Sequence, residues 1–306
     1  MKNKKVFILM LFILLFIAVS SSYQYYQAYK ETQRKRILFE KRKTEWMTLK
    51  EAVAAQVAKF KGETGILIKD LDMNWEMSFN KDKLFPSASL VKIPIMVSCF
   101  YAIQEGKLKA DTLVKLKLTD KVSGSGILKD MYIGKEFSIE DLIEFMIADS
   151  DNTATNILIN QLGFNYLNAS FKSLGLKNTN LSRKMLDFQS RSLGIENYTT
   201  AEDIADILEK IYRKEVLNRK VSDQCIRLLK QQKINDRIPS YLPVETTVAH
   251  KTGLERFICH DAGIVYTKKG NFLVCVLTKH SEINSKTAKE FIAKIALAVY
   301  QYFEKL

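Results

Sequence analysis

Pro86-Ser87-Ala88-Ser89-Leu90-Val91-Lys92-Ile93-Pro94-Ile95-Met96 is where this chain changes character. Ahead of it, Gly65-Ile66-Leu67-Ile68-Lys69-Asp70, a turn at Asp72-Met73-Asn74 and alternating residues to Phe79 make a β-hairpin pattern. From Ser89 onward, helical spacing of apolar residues takes over. It dominates Ser89 to Gln104, Ile139 to Ala148, Asn152 to Leu162, Asn165 to Leu174, Ala201 to Arg213 and Ser222 to Gln231. Strand patterns return at Thr247 to Lys251, Ala262 to Thr267 and Phe272 to Thr278, and Lys286 to Phe303 reads as a closing helix. A hairpin, a helical middle, late strands and a last helix predict an α+β fold (α/β sandwich). Its antiparallel five-stranded sheet is built from both chain ends, with a helical domain inserted. No internal repeat or low-complexity linker follows residue 60.

The 306 residues, 47% hydrophobic and 26% charged, suffice for one large domain and an N-terminal appendage, and exclude bulk disorder. Residues 1–51 hold eleven Lys and Arg against four Glu, a net +7 of the chain's +13. The basic excess therefore sits in the appendage. No zinc-finger spacing, RNP-like motif or aromatic-basic stripe marks the rest, so no nucleic-acid partner is expected. Lys2, Lys4 and Lys5 precede an unbroken apolar run from Val6 to Val19 and then Ser20-Ser21-Ser22, the pattern of an export signal or a short anchor. The expected division is 1–22 signal peptide or membrane anchor, 23–50 basic helical stalk and 51–306 the main globular domain. The expected place is outside the cytoplasm, secreted, periplasmic or held on the outer face of the cytoplasmic membrane through the N-terminal segment. Cys99, Cys225, Cys259 and Cys275 are scattered without CxxC spacing, so neither a metal nor a disulfide is assigned. A monomer without cofactors is expected.

Three short motifs carry chemistry. Ser89 and Lys92, three apart on a helix start, lie on one face, so the amine reaches the hydroxyl while unpaired backbone N–H groups stand nearby. That suits an activated nucleophile. Alone, Ser-x-x-Lys reads equally as a cap serine and a surface lysine. Ser150-Asp151-Asn152 joins two helices and, alone, reads as a capping turn. Lys251-Thr252-Gly253 ends a strand, offering a cation, a hydroxyl and close backbone to a carboxylate. Their order, early helix, helical middle and late strand, is what makes the three informative together. His250 and His260 flank the last motif and read as satisfied strand-edge imidazoles, with carboxylate binding open to His260.

In that order the three motifs resemble the class A serine β-lactamases and penicillin-binding proteins, over roughly residues 50–306. Gly124-Ser125-Gly126-Ile127-Leu128, Asn197-Tyr198-Thr199-Thr200 and Asp261-Ala262-Gly263-Ile264-Val265 resemble that family's flanking segments. The resemblance implies a β-lactamase/transpeptidase-like fold and a substrate that is a β-lactam or a D-Ala-D-Ala-like peptide. It implies Ser89 as nucleophile, Lys92 as its proton acceptor and Ser150 as proton relay to the leaving nitrogen. Asn152 would hold the acylamido group, Lys251, Thr252 and Gly253 the carboxylate end, and the backbone N–H groups of Ser89 and Leu254 the oxyanion. The chain departs from the family in its Ω loop. Aligned on Leu181 and Arg183, the position of the Glu that activates the deacylating water falls on Met185, whose thioether accepts no proton, and that of the water-holding Asn falls on Gln189. Asp187 is the alternative base if the loop is re-registered, and otherwise a loop hydrogen-bonding residue. Acylation is expected, with turnover slowed by Met185. The competing expectations are a D,D-peptidase or penicillin-binding cell-wall enzyme, and a membrane-tethered binding module that keeps the fold without the chemistry.

Overall fold

The computed structural model describes residues 2–306, which divide into a helical unit ending at Glu51 and a larger unit, Ala52–Lys305. Helix α1 (Lys2–Lys59) runs without interruption, as expected from a stretch lacking Gly and Pro. Its apolar residues Phe12, Leu14, Leu15 and Phe16 are exposed. Among the described residues no helix is long and apolar enough to cross a membrane.

The larger unit is built on an antiparallel sheet of strands β1 (Glu63–Asp70), β2 (Trp75–Phe79), β7 (Thr247–Glu255), β8 (Ile258–Thr267) and β9 (Gly270–Lys279). Their order is β2-β1-β9-β8-β7, so the first strand pairs with the last, Glu63 opposite Lys279 and Asp70 opposite Phe272. Two small ladders lie outside it, β3 (Phe85–Pro86) with β6 (Tyr198–Thr199), and β4 (Leu113–Lys115) with β5 (Glu136–Ser138). Between the two groups of sheet strands come α2 (Lys92–Gln104), α3 (Ile139–Ala148), α4 (Asn152–Ser173), α5 (Phe188–Ser192), α6 (Ala201–Arg213) and α7 (Arg219–Lys230). The chain closes with α8 (Lys286–Glu304).

Strand burial is nearly continuous rather than alternating, because both faces are covered. Leu67, Ile264, Leu273, Cys275 and Leu277 join the core of the helical domain. Val274 and Val276, one position out of phase, are equally buried on the face that α8 covers, where Phe272 stacks on Phe303 at 5.3 Å. Each fully buried Val or Leu contributes about 1.5–3 kcal/mol, so two covered faces explain how one sheet anchors the unit.

Local signals set most helix ends. The Thr200 hydroxyl caps α6 through Asp203 N at 3.1 Å, and Ile204, Ile207, Leu208 and Ile211 form its buried stripe. Ser138 and Asp141 cap α3 reciprocally. The two helices expected over Asn152–Leu162 and Asn165–Leu174 form one element broken at Gly163 (φ 76°). The hairpin of β7 and β8 is longer than its apolar pattern suggested, extending through Lys251-Thr252-Gly253 to Glu255 and resuming at Ile258. All four cysteines are buried, unbridged thiols.

Candidate active site

Ser89 sits in a 3-10 turn, Ala88–Val91, that leads directly into α2. Ala88 takes a left-handed φ of 44°, a conformation a side-chain-bearing residue holds only when its surroundings fix it. The surroundings do so from three sides. Ser87 N donates to Asn197 O at 2.7 Å. Pro86 pairs with Tyr198 across β3 and β6. The Nε2–H of His260 donates to Pro86 O at 2.9 Å, while its Nδ1 accepts from Thr278 N at 3.1 Å. Burial pushes His260 down to about 4, so the ring is neutral and both nitrogens are spent on backbone. Carboxylate binding, left open for His260, is thereby closed: the imidazole props up the Ser89 turn. His250 is likewise engaged, Nδ1 with Asp261 at 2.9 Å and Nε2 with Asn235 at 3.1 Å.

Ser150, like Ala88, takes a left-handed φ, here 52°. Asp151 caps α4 through Ala154 N at 2.8 Å, and its other oxygen accepts from Ile127 N and Leu128 N at 2.7 and 2.8 Å. The loop Gly124–Leu128 is thus held on this turn. Gly126 (φ 113°) has to be glycine, because a Cβ there would stand 2.3 Å from the Asp151 carboxylate.

Lys92 and Lys251 converge on Ser150. Lys92 Nζ donates to Ser150 O at 2.6 Å, Ser150 Oγ at 3.2 Å and Asn152 Oδ1 at 2.8 Å. Lys251 Nζ donates to Ser150 Oγ at 2.9 Å and to Thr252 O at 3.0 Å. Both amines are fully buried. Burial lowers Lys92 to about 7 against the partial opposition of Asp151 and then Glu255, so it exchanges a proton near neutrality. Lys251 is pushed well below the ordinary lysine range by burial and then by Lys92. Two crowded amines with too few counter-charges make a site that favours an incoming anion. A hydroxyl has two acceptor lone pairs, and the two lysines fill both on Ser150, leaving its own proton for donation elsewhere. Ser89 Oγ takes part in none of these bonds.

Strand β7 brings Lys251, Thr252 and Gly253 against the Ser89 turn. A Cβ on Gly253 would meet Ala88 Cβ at 3.3 Å and Ser89 N at 3.4 Å, so glycine permits this approach. Leu254, next along the strand, is half exposed at the rim.

The Ω loop, residues 177–197, forms the remaining wall. Asn156 holds the Met185 peptide from both sides, Oδ1 accepting from Met185 N at 2.8 Å and Nδ2 donating to Met185 O at 3.1 Å. Met185 is buried. Asp187 accepts from Ser190 N at 2.9 Å and from Ser190 Oγ at 2.7 Å, capping the short helix α5; these bonds lower its pKa. Its place is that of a loop hydrogen-bonding residue. Gln189 is exposed. A ring of charges below the loop, Arg183, Glu196, Arg191 and Glu255, is invisible to sequence reasoning, because no local pattern links residues up to 72 positions apart. No group of three or more His, Cys, Asp or Glu among the described residues is placed to hold a metal.

A buried lysine tuned to neutrality beside a serine at a helix start, on a five-stranded sheet with an inserted helical domain, defines a serine hydrolase of the β-lactamase-like class. Comparison with known proteins agrees. Residues 48–303 match the Beta-lactamase enzyme family, and the chain belongs to it. It is 26% identical over 270 residues to the extended-spectrum beta-lactamase PER-1 of Pseudomonas aeruginosa, covering 83% of this chain and 87% of that protein. It is 23% identical over 286 residues to the beta-lactamase VEB-1 of the same organism, covering 87% and 93%. Among solved structures, a beta-lactamase from Sphaerobacter thermophilus superposes with a TM-score of 0.77 at 30% identity, covering 85% of this chain and 98% of that one. PBP-A superposes with a TM-score of 0.78 at 29% identity, covering 85% and 97%. A single-site variant of PBP-A was solved as an acyl-enzyme complex with penicillin G.

Proposed function

We propose that Ser89 is acylated by a β-lactam, or by the D-Ala-D-Ala-like peptide end such a ring imitates, and that the acyl-enzyme is released slowly. The observation that carries the reading is the convergence of Lys92 and Lys251 on Ser150 beside the Ser89 turn. In the first step Ser89 Oγ attacks the carbonyl carbon and its proton passes to the neutral form of Lys92, which donates only two hydrogen bonds and keeps its lone pair for that proton. The backbone N–H groups of Ser89 and Leu254 bind the oxyanion. The C–N bond then breaks, Ser150 gives its unengaged proton to the leaving nitrogen, and Lys92 returns one to Ser150. Lys251 and Thr252, with Gly253 keeping the strand close, bind the substrate carboxylate, which restores the charge that burial disfavours on Lys251. Asn152 holds the acylamido group.

Deacylation needs a base for water, and Met185 offers none. A D,D-peptidase or penicillin-binding role in the cell wall is therefore the second reading, favoured by Met185 and by the likeness to PBP-A. The protein acts outside the cytoplasmic membrane on this reading, exported through the segment Lys2–Val19. Intact-mass spectrometry after addition of penicillin tests the chemistry: a covalent adduct is expected on the wild type and none on Ser89→Ala. Labelling of Ser89→Ala at the wild-type rate would refute it. Cell fractionation tests the location, with full-length protein confined to the cytosol as the opposing result.

A further inference from the structure

Four charged side chains close a ring beneath the Ω loop. The Arg183 guanidinium donates to Glu196 Oε1 at 2.7 Å and to Glu255 Oε1 at 3.1 Å. Arg191 reaches the other oxygen of each carboxylate, Glu196 Oε2 at 3.2 Å and Glu255 Oε2 at 2.8 Å. Two positive and two negative groups alternate, so the ring is neutral as a whole. Arg183, Glu196 and Glu255 are at least nine-tenths buried, and Arg191 is 30% exposed. Three members belong to the Ω loop. Glu255 alone belongs to the sheet, directly after Leu254 and four positions after Lys251 on β7.

We propose that Glu255 is a positioning residue that latches the Ω loop to the end of β7, fixing the Met185 wall of the pocket relative to the Leu254 N–H. The inference rests on the acyl-serine reading above for its kinetic consequence, but the latch itself is a property of the loop. Loss of the Glu255 charge leaves Arg183 buried in a ring of net +1, which opposes closure of the loop rather than merely weakening it. A shorter carboxylate keeps the neutrality. Glu255 also acts on Lys92, whose pKa burial lowers and Asp151 and Glu255 partly restore.

The test compares full-length wild type, Glu255→Gln and Glu255→Asp by amide hydrogen exchange and by the kinetics of penicillin adduct formation. Glu255→Gln is expected to speed exchange across residues 183–197 by at least about tenfold while the strands of the sheet keep theirs. Its acylation rate at saturation is expected to fall by about 10- to 100-fold, with a smaller change in half-saturating concentration. Glu255→Asp is expected to recover most of both. Equal losses in Glu255→Gln and Glu255→Asp would overturn the charge latch in favour of simple packing, and unchanged exchange in Glu255→Gln would overturn it altogether. If Glu255→Gln does not fold, Arg191→Gln removes one of the same contacts at a partly exposed site and is read by the same exchange criterion. A wild type that forms no adduct refutes the acyl-serine reading, while the exchange result still decides the latch.

Discussion

Replacing Met185 with Glu is expected to speed release of the proposed acyl-enzyme. Asn156 holds the Met185 peptide at both its N–H and its carbonyl, so a substitution there changes the side chain without letting the loop slip. Asn152, one turn earlier on α4, accepts from Lys92 at 2.8 Å. Residues one turn apart on a helix face lie about 6 Å from each other, so one face of α4 holds both the Met185 backbone and the partner of Lys92. A positioned base is worth about 10²–10⁴-fold. Burial raises a carboxyl pKa, but even a rise to about 7 leaves half the groups ionised at pH 7 and costs only about a factor of two. The gain therefore survives the environment. Losing the buried thioether and desolvating a carboxyl is expected to cost about 2–4 kcal/mol of stability, so circular dichroism must confirm a folded variant. The assay is a penicillin pulse followed by intact-mass measurement of adduct decay. An unchanged adduct lifetime in folded Met185→Glu would refute the reading of Met185 as the position where the water's base is missing. If Asp187→Asn instead halts a rapid wild-type turnover, Asp187 is the base and must leave its cap on α5 to act.

Lys92 makes stability depend on pH in a known direction. Its folded pKa of about 7 lies below the ordinary 10.5, so between these values the unfolded chain holds a proton that the folded one lacks, and stability falls as pH drops through that window. Urea unfolding of wild type and Lys92→Met is expected to show the wild type gaining about 1.4 kcal/mol per pH unit relative to the variant from pH 7 to 9; a difference independent of pH would place a charged lysine there throughout. Lys251→Ala is expected to raise the half-saturating penicillin concentration by about 10- to 100-fold, the worth of a charge-assisted carboxylate contact; an unchanged acylation curve would put Lys251 outside the site. Gly253→Val is expected to lose about 1–3 kcal/mol and most of the labelling rate, since its side chain enters the 3.3–3.4 Å gap to Ala88 and Ser89; full labelling at wild-type rate would show that β7 can retreat.

The sequence by itself determined what is periodic or local. Apolar spacing alone located α3 and α6 to the residue, and the caps at Ser138 and Thr200 explain why their ends are legible. The early hairpin and late strands predicted one sheet from both chain ends, and the order of the three motifs pointed to Ser89, Lys92, Ser150 and Lys251, which the fold brings together. What only tertiary structure decided involves contacts between distant segments. The two-residue ladder β3–β6 is too short for any period, yet it anchors the Ser89 turn. His260 looked like an ordinary strand residue until β8 placed it under Pro86, 174 positions away. The lysines are ordinary lysines in sequence, and their lowered proton affinity is created by burial, to which Lys92 adds in the case of Lys251. The ring through Glu255 joins an Ω loop to a strand end, and nothing in the spacing of Arg183, Arg191, Glu196 and Glu255 marks them, because a charge is solvated or buried according to what the rest of the chain folds over it.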